Sequence, residues 1–380
     1  MPRLSQVKTP APAASVEFVA SVSLDLMNAL AFTGLVEIAE GIDGWPVETR
    51  SRMDPELRDE LDFLLTFPKG DPGVMGTLTD RLFAHPEAWG GVEELLRFVR
   101  NLPLRAEEAA PGLADVAVQS LVFYNICDPL ELKQEGSPVP DADRRERLIK
   151  VLEGAGADVE AGLAVYDRPE ELRARMVRLI ERFYEEHYRQ DQARRLARLE
   201  RSVAAHRGQP ATDPAALARK LSGRPSSCLD AQDGEPPVCA GPYTRYVFAP
   251  SLDLGPYVSC ADVGSVHGYF YPCEPEFTEA KEEEENRRLA RVYKALADEQ
   301  RLKILHLLRE RELYAQEIVE RTGLHQSVVS RHLAFMKAVG LVDWRRQNNM
   351  KFYSLNPAMR EEMANALELF LPASGAEAKA

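Results

Sequence analysis

Two short helical patterns, separated by a three-residue turn that begins with a glycine, constrain this chain more than any other stretch of its 380 residues. The first pattern covers Ala315–Thr322 and places Ala315, Ile318 and Val319 on one side. Gly323 follows, and glycine readily accepts the left-handed backbone that a tight turn between two helices requires. The pattern therefore predicts a short helix that ends in a sharp turn.

The second pattern begins after His325 and has apolar residues at Val329, Leu333 and Met336, which is the spacing of a helix packed on one side. Its other face carries short polar side chains and one arginine: Gln326, Ser327, Ser330 and Arg331. Such groups can bond to phosphates and base edges in the major groove of DNA. Together the two helices predict a helix-turn-helix with its DNA-contacting residues on the second helix.

Two histidines border this face. His332 lies on the inner flank of the second helix, and we interpret it as a packing residue that also orients a phosphate contact. His325 lies in the turn, where the sequence leaves open whether its ring reaches the DNA backbone.

The flanking segments extend the motif. Upstream, Asp298 is a candidate N-cap for a helix predicted to bury Leu302, Leu305 and Leu308. Downstream, Gly340 is expected to end the second helix, and two strands (LVDWRR and MKFYSL) follow around a Gln-Asn-Asn turn. This hairpin forms a wing that presents three cations to a flanking phosphate or minor groove: Arg345, Arg346 and Lys351.

The segments ALADEQRLKILHLL, QSVVSRHL and GLVDWRR…KFYSL resemble the ArsR-type winged-helix repressors over about 70 residues. The stretch YVFAPSLDLGPYV…GYFYPCEP resembles the extended N-terminal effector domain of an ArsR subset, and it implies no particular ligand. The resemblance implies a homodimer on double-stranded DNA, formed through the C-terminal helix Pro357–Leu371. In that helix, Met363, Leu367 and Leu371 form a stripe with no obvious partner in so small a module.

Many ArsR-type proteins sense metals through a cysteine pair before the recognition helix or through histidines in the C-terminal helix. Here the matching stretch, Glu312–Gln316, has no thiol, and the C-terminal helix has no histidine. We therefore expect no metal site in the winged domain and no cofactor, with sensing assigned to the N-terminal part of the chain.

The charge of the chain is divided unevenly. The net charge is −13, but residues 286–356 carry 14 Lys/Arg against 7 Asp/Glu. A basic module on an acidic body fits a DNA-binding protein whose larger part is kept away from the phosphates. Alternatively, the negative charge of the body is an ordinary excess of acidic residues on a protein surface, unrelated to DNA.

Upstream of residue 277, helical stripes with short breaks predict a helical body. The body is expected to begin with one helical stripe, formed by Phe18, Val22, Leu26 and Leu30. A further helix is expected to start at Asp54-Pro55 and to bury Leu57 and Leu61. Residues 169–207 read as one long scaffold helix, and three strands are expected near 244–249, 256–262 and 266–271. The predicted domains are a disordered tail (1–14), a helical effector domain (15–225), a β-rich element (226–276), the winged helix-turn-helix with flanking dimerisation helices (277–371) and a second disordered tail (372–380).

Four of the five cysteines, together with one histidine, fall around the β-rich element: Cys228, Cys239, Cys260, Cys273 and His267. Thiolates and imidazole are zinc and copper ligands, but the intervals between these cysteines match no standard site. A metal site, a redox pair and simple burial all remain open, with burial favoured. The cysteine spacing gives no disulfide framework, so we expect a reducing, cytoplasmic location.

The expected fold class is mainly α, with an N-terminal helical domain carrying a small β element and a C-terminal winged helix-turn-helix. The expected function is a DNA-binding transcriptional regulator, most simply a repressor, that does not span a membrane and responds to an unidentified small molecule or protein. The candidate effector pocket comprises Phe183, Tyr188, Phe248 and Tyr269, and the alternative, which the sequence slightly favours, is that these aromatic residues are core. No nucleophile elbow or phosphate loop is present, so we do not expect an enzyme. The alternative is a module that recruits a protein partner or senses metal or thiol state.

Overall fold

The computed structural model describes residues 14–66, 73–126, 141–154, 158–206, 213–222, 243–273, 278–347 and 350–370. The two predicted tails, apart from Ala14, lie outside these residues, as do Cys228, Cys239 and Leu371.

The first part of the chain folds mainly into helices. Their bounds are α1 Val22–Leu35, α2 Trp45–Arg52, α3 Pro55–Thr66, α4 Gly73–Leu82, α5 Val92–Arg100, α6 Val118–Ile126, α7 Asp141–Gly154, α8 Val159–Asp167, α9 Pro169–Phe183, α10 Gln192–His206 and α11 Pro214–Ser222. The Asp54-Pro55 start is confirmed, because Asp54 Oδ1 accepts from the amide of Leu57 at 3.1 Å. Leu57 and Leu61 are buried in the main core, as predicted.

A four-stranded sheet packs against these helices. Its strands are β1 Ser15–Phe18, β2 Arg245–Ser251, β3 Ser259–Val263 and β4 Val266–Pro272, in the order β1-β2-β4-β3. β1, β2 and β4 are parallel, and β3 is antiparallel to β4. The three predicted strands are therefore present, and a fourth comes from the start of the chain.

That fourth strand corrects one prediction. Phe18 does not open a helix but lies in β1, opposite Phe248 of β2. The helix begins only at Val22, because the Oγ of Ser21 caps it by accepting from the amide of Leu24 at 3.1 Å. Apolar residues on alternate positions, Val16 and Phe18, fit a strand as well as a helix over so short a stretch.

The sheet separates two hydrophobic cores. One face, with Val247, Ala249 and Phe270, joins the large core of the helical body. The other face packs against α11 in a smaller core. Since the sheet shares the core of the helices, the predicted boundary at 225/226 does not separate two independent hydrophobic units.

The predicted long helix is interrupted. α9 ends at Phe183, residues Tyr184–Tyr188 form a π-helical turn, and α10 begins at Gln192. The amide of Arg189 donates to the carbonyl of Tyr184 at 2.8 Å, which is the wider spacing of a π-turn. The interruption turns Tyr188 into the core, where its hydroxyl donates to Asp25 at 2.7 Å.

The last part of the chain is a winged helix-turn-helix. Its elements are α12 Thr278–Leu296, α13 Glu299–Leu308, β5 Leu313–Tyr314, α14 Ala315–Thr322, α15 Gln326–Ala338, β6 Val342–Gln347, β7 Met350–Leu355 and α16 Pro357–Phe370. The three strands form an antiparallel sheet in the order β5-β7-β6. The wing strands thus form as predicted, and Asn348 and Asn349 of the turn lie outside the described residues.

Two details of this domain differ from expectation. In α13 the buried residues are Arg301, Ile304 and Leu308, whereas Leu302 is 47% exposed. In α16, Met363 is half-buried and packs against the core of the winged domain, so this residue of the predicted stripe has a partner within the module. No helix among the described residues has the length and apolar character needed to cross a membrane.

Candidate DNA-binding surface

The turn before α15 has the geometry that its sequence predicts. Gly323 has a φ of 68°, in the left-handed region, and its amide donates to the carbonyl of Val319 at 2.9 Å. His325 is the N-cap of α15, since its Nδ1 accepts from the amide and the hydroxyl of Ser327 at 3.4 and 2.9 Å. His325 therefore has a local structural role, which sequence reasoning missed.

The exposed face of α15 brings four predicted residues together. Gln326, Ser327, Ser330 and Arg331 are all exposed on this helix. The opposite side is buried by Val329, Leu333 and Met336, as the apolar spacing predicts. The arrangement presents hydroxyl, amide and guanidinium groups outward from a helix that is fixed by its own core, which suits contact with base edges and phosphates.

His332 is not part of that exposed face. Its side chain is buried, and Nε2 donates to Oε1 of Gln300 at 3.1 Å, which joins α15 to α13. Burial lowers the pKa of His332, although the carboxylate of Asp298 opposes this shift. The ring therefore supports the helix from beneath, and any effect of His332 on DNA acts through the position of α15.

The cations of the wing have different surroundings. Arg345 is paired with Glu312, and its guanidinium lies 5.3 Å from the centre of the Phe352 ring. Lys351 is exposed and its Nζ lies 4.8 Å from the centre of the Trp344 ring. Arg346 lies opposite Lys351 in the hairpin register.

Sequence reasoning also missed a cation beside the wing. Nζ of Lys337, near the end of α15, lies 4.6 Å from the centre of the same Trp344 ring. The Trp344 ring thus makes cation–π contacts with one lysine of the recognition helix and one of the wing. The position of Trp344 between two charged residues of the strand was the signal that could have indicated this contact.

The four residues of the candidate effector pocket are divided between two cores. Phe183 and Tyr188 lie in the large core of the body, and Phe248 and Tyr269 lie in the smaller core on the other face of the sheet. All four are fully buried. A ligand pocket formed by them stays a prediction, and their observed contacts are those of core residues.

The described cysteines lie at neighbouring strands of the sheet. Cys260 is disulfide-bonded, which the cysteine spacing did not predict, whereas Cys273 is a free thiol. Burial raises the pKa of Cys273 to about 12, so its thiol is a poor source of thiolate. The imidazole of His267 is buried and pairs with Asp262 at 2.7 Å. Within the described ranges, no three or more such groups lie close enough together to hold a metal ion.

The fold and this surface define the class of protein: a winged helix-turn-helix module joined to a larger N-terminal body. Residues 298–343 match the family model described as bacterial regulatory protein, arsR family. The transcriptional activator HlyU of Vibrio cholerae is 39% identical over 76 residues, which are 20% of this chain and 70% of that protein. The transcriptional repressor SdpR of Bacillus subtilis is 30% identical over 80 residues, which are 21% of this chain and 89% of that protein.

A homodimeric winged helix-turn-helix DNA-binding domain from Mycobacterium bovis shares 28% identity, over 26% of this chain and 89% of that domain, with a TM-score of 0.22. On the sequence matches, the chain belongs to the arsR family of bacterial regulatory proteins. The family model lies within the winged domain, and each of the other matches covers between 20% and 26% of this chain.

Proposed function

We propose that the protein is a transcriptional repressor that binds operator DNA as a homodimer and is controlled by a signal received in its N-terminal body. The observation that carries this proposal is the exposed polar face of α15, next to a wing with an exposed lysine. The excess of seven positive charges over residues 286–356 supports binding to a polyanion. In a bacterium such a protein acts in the cytoplasm, where the DNA lies.

The homodimer is supported by apolar surface on the winged domain. Tyr293 of α12 is 37% exposed and Leu302 of α13 is 47% exposed. We assign these two side chains to a symmetric interface, which would bury them in both copies. A two-fold axis would place two copies of α15 about 34 Å apart, to match successive major grooves.

The test is a selection of duplex DNA from a random-sequence library by the full chain. We expect one sequence, with two related half-sites, to be enriched and to bind at about 150 mM salt while an unselected duplex of equal length does not. If no sequence is enriched, the proposal fails. The second candidate, a module that recruits a protein partner, predicts that outcome.

A further inference from the structure

The loop between α1 and α2, residues 36–44, contacts the winged domain, and we name it the docking loop. Arg291 of α12 donates from Nε to Oδ2 of Asp43 at 2.9 Å and from Nη2 to Oδ1 at 2.8 Å. Arg291 is buried by this contact. A two-pronged bond between arginine and carboxylate fixes orientation as well as distance, so it aligns α12 with the body.

A second arginine extends the contact to three helices of the winged domain. Nη1 of Arg301 donates to Oε2 of Glu40 at 2.7 Å, and its other nitrogens donate to the carbonyls of Ala295 and Lys294 at the end of α12. The guanidinium also lies 5.1 Å from the centre of the Phe335 ring on α15. Glu40, itself partly exposed, therefore pairs with a buried arginine that also contacts the recognition helix.

The backbone of the docking loop packs directly on the recognition helix. At Gly41, which has a φ of +83°, a Cβ atom would lie 2.6 Å from Cε2 of Phe335 and 3.2 Å from Cγ of Pro256. Beside it, the hydroxyl of Tyr257 donates to the carbonyl of Glu40 at 2.6 Å. Only glycine leaves room for this approach, and a second segment, which follows β2, supports the loop from the side of the body.

Both segments are held at their base by one buried arginine. Arg195 of α10 donates to Asp25 of α1 at 2.7 Å and also binds Asp253, three residues before Pro256. Its guanidinium lies 4.8 Å from the centre of the Trp45 ring, at the end of the docking loop. Burial raises the pKa of Asp253 against the opposing effect of Arg195. Arg195 thus connects the elements from which both segments emerge.

The docking loop leaves the DNA-contacting face of α15 uncovered. Phe335 is buried, whereas Ser327, Ser330 and Arg331 remain exposed with the body docked. The docked arrangement is therefore compatible with DNA on the exposed face. A helix that is already held in one orientation loses less conformational entropy on binding than a helix that is free to move.

We propose that Glu40 and Asp43 are positioning residues for DNA binding, which hold the recognition helix in its binding orientation through Arg301, Arg291 and Phe335. This inference rests on the proposed function and assigns its interdomain contact to particular residues.

The test is a charge swap across the contact. Asp43→Arg should weaken binding to the selected duplex about tenfold, within the usual range of coupling between sites. Simple electrostatics predicts the opposite, because this change adds two positive charges. Glu48→Arg is the matched control: Glu48 is exposed on α2, five residues further on, and the change in charge is the same. It should not weaken binding.

Combining Asp43→Arg with Arg291→Asp restores the net charge and the ion pair, and should return affinity to within about threefold of the unmodified chain. Amide exchange along residues 326–338 gives a readout that needs no DNA: it should be faster in Asp43→Arg and return to normal in the swap. Should the swap fail to fold, Glu40→Gln should still accelerate exchange around Phe335.

Unchanged affinity and unchanged exchange in Asp43→Arg would overturn the inference, and so would tighter binding that exceeds the gain from Glu48→Arg. If the unmodified chain enriches no duplex, the proposed function fails, and amide exchange alone then decides whether the docking loop positions α15.

Discussion

Arg345 of the wing and Glu312 before β5 form a two-pronged ion pair, with Nε donating to Oε2 at 2.9 Å and Nη2 bonded to Oε1. The hydrogen bond from Arg345 lowers the pKa of Glu312, so the carboxylate stays charged at neutral pH. The pair places a negative charge beside one of the wing cations. Arg345 is therefore less able than Lys351 to replace a counterion on DNA.

From this difference we expect Lys351→Ala to reduce the slope of log K against log salt by about 0.9, the effect of losing one phosphate contact. Arg345→Ala should reduce the slope by clearly less. Binding to the selected duplex, measured between about 50 and 200 mM salt, distinguishes the two variants. Equal loss of slope would mean that Glu312 releases Arg345 when DNA binds.

Arg331 is expected to determine sequence preference. Arg331→Ala should cost about 1–3 kcal/mol on the selected duplex and much less on unrelated DNA, because base-edge contacts exist only with the correct sequence. Ser327→Ala should act in the same direction, with an added loss of the hydroxyl bond to His325. Competition between the selected and a scrambled duplex measures the preference.

The matched control for this prediction is Arg309→Ala. Arg309 lies at the end of α13, outside the recognition helix and the wing, and its loss changes the net charge equally. If both arginine variants weaken binding by the same factor on all sequences, α15 does not lie in the major groove.

The winged domain should lose stability in mild acid through His332. Burial lowers the pKa of this histidine in the folded protein, so below the unfolded value of about 6.5 the unfolded chain binds more protons. The associated stability is present above that pH and is lost as pH falls towards the folded pKa. Amide exchange of α15, corrected for intrinsic rates, should show a smaller opening free energy at pH 5 than at pH 7.

His332→Gln retains a donor for Gln300 but does not titrate, so it should remove most of this pH dependence. Burial also lowers the pKa of His187 in the body, and that group should continue to affect the helices around it. An unaltered pH dependence in α15 of the glutamine variant would assign the effect elsewhere.

The buried Arg195 should be important for stability. Arg195→Met would leave Asp25 and Asp253 without their common partner, and breaking a buried ion pair costs about 3–5 kcal/mol. The control is Arg175→Met, which breaks a pair with Glu60 nearer the surface and should cost about 1 kcal/mol or less. Urea unfolding compares them, and similar losses would contradict the assigned role of Arg195.

Removal of the exposed apolar residues of the winged domain should dissociate the dimer. Tyr293→Ser with Leu302→Ser is expected to shift the protein towards monomer in sedimentation, as should truncation after Asn356. Met350→Ser is the control, because Met350 is 42% exposed on the wing. A dimer that persists in all three proteins would place the interface in the N-terminal body.

The recognition helix and the wing could be predicted from sequence because their signals are local. Gly323, the spacing of Val329, Leu333 and Met336, and the paired strands all act over fewer than about a dozen residues. The exposure of Leu302 could not be predicted, because the buried face of α13 is set by Arg301. That arginine is satisfied by Glu40, 261 positions away in the sequence.

The same limit applies to the pairing of Arg345 with Glu312 and to β1. Four residues do not distinguish the period of a strand from that of a helix, and the strand forms only because β2 offers an edge. Long-range partners therefore decided those parts of the structure where local pattern was ambiguous or pointed the other way.

The parallel pairing of β1 with β2 has a consequence for how the protein is made. Ser15 pairs with Arg245, so β1 has to wait during synthesis for a partner that is made about 230 residues later. Asp25 likewise gains its ion-pair partner Arg195 only late in synthesis, and Asp253, which binds the same arginine, is made later still. The body is therefore expected to be completed shortly before the winged domain emerges, and a nascent chain that stalls before residue 245 would expose an unpaired β1 to chaperones and proteases.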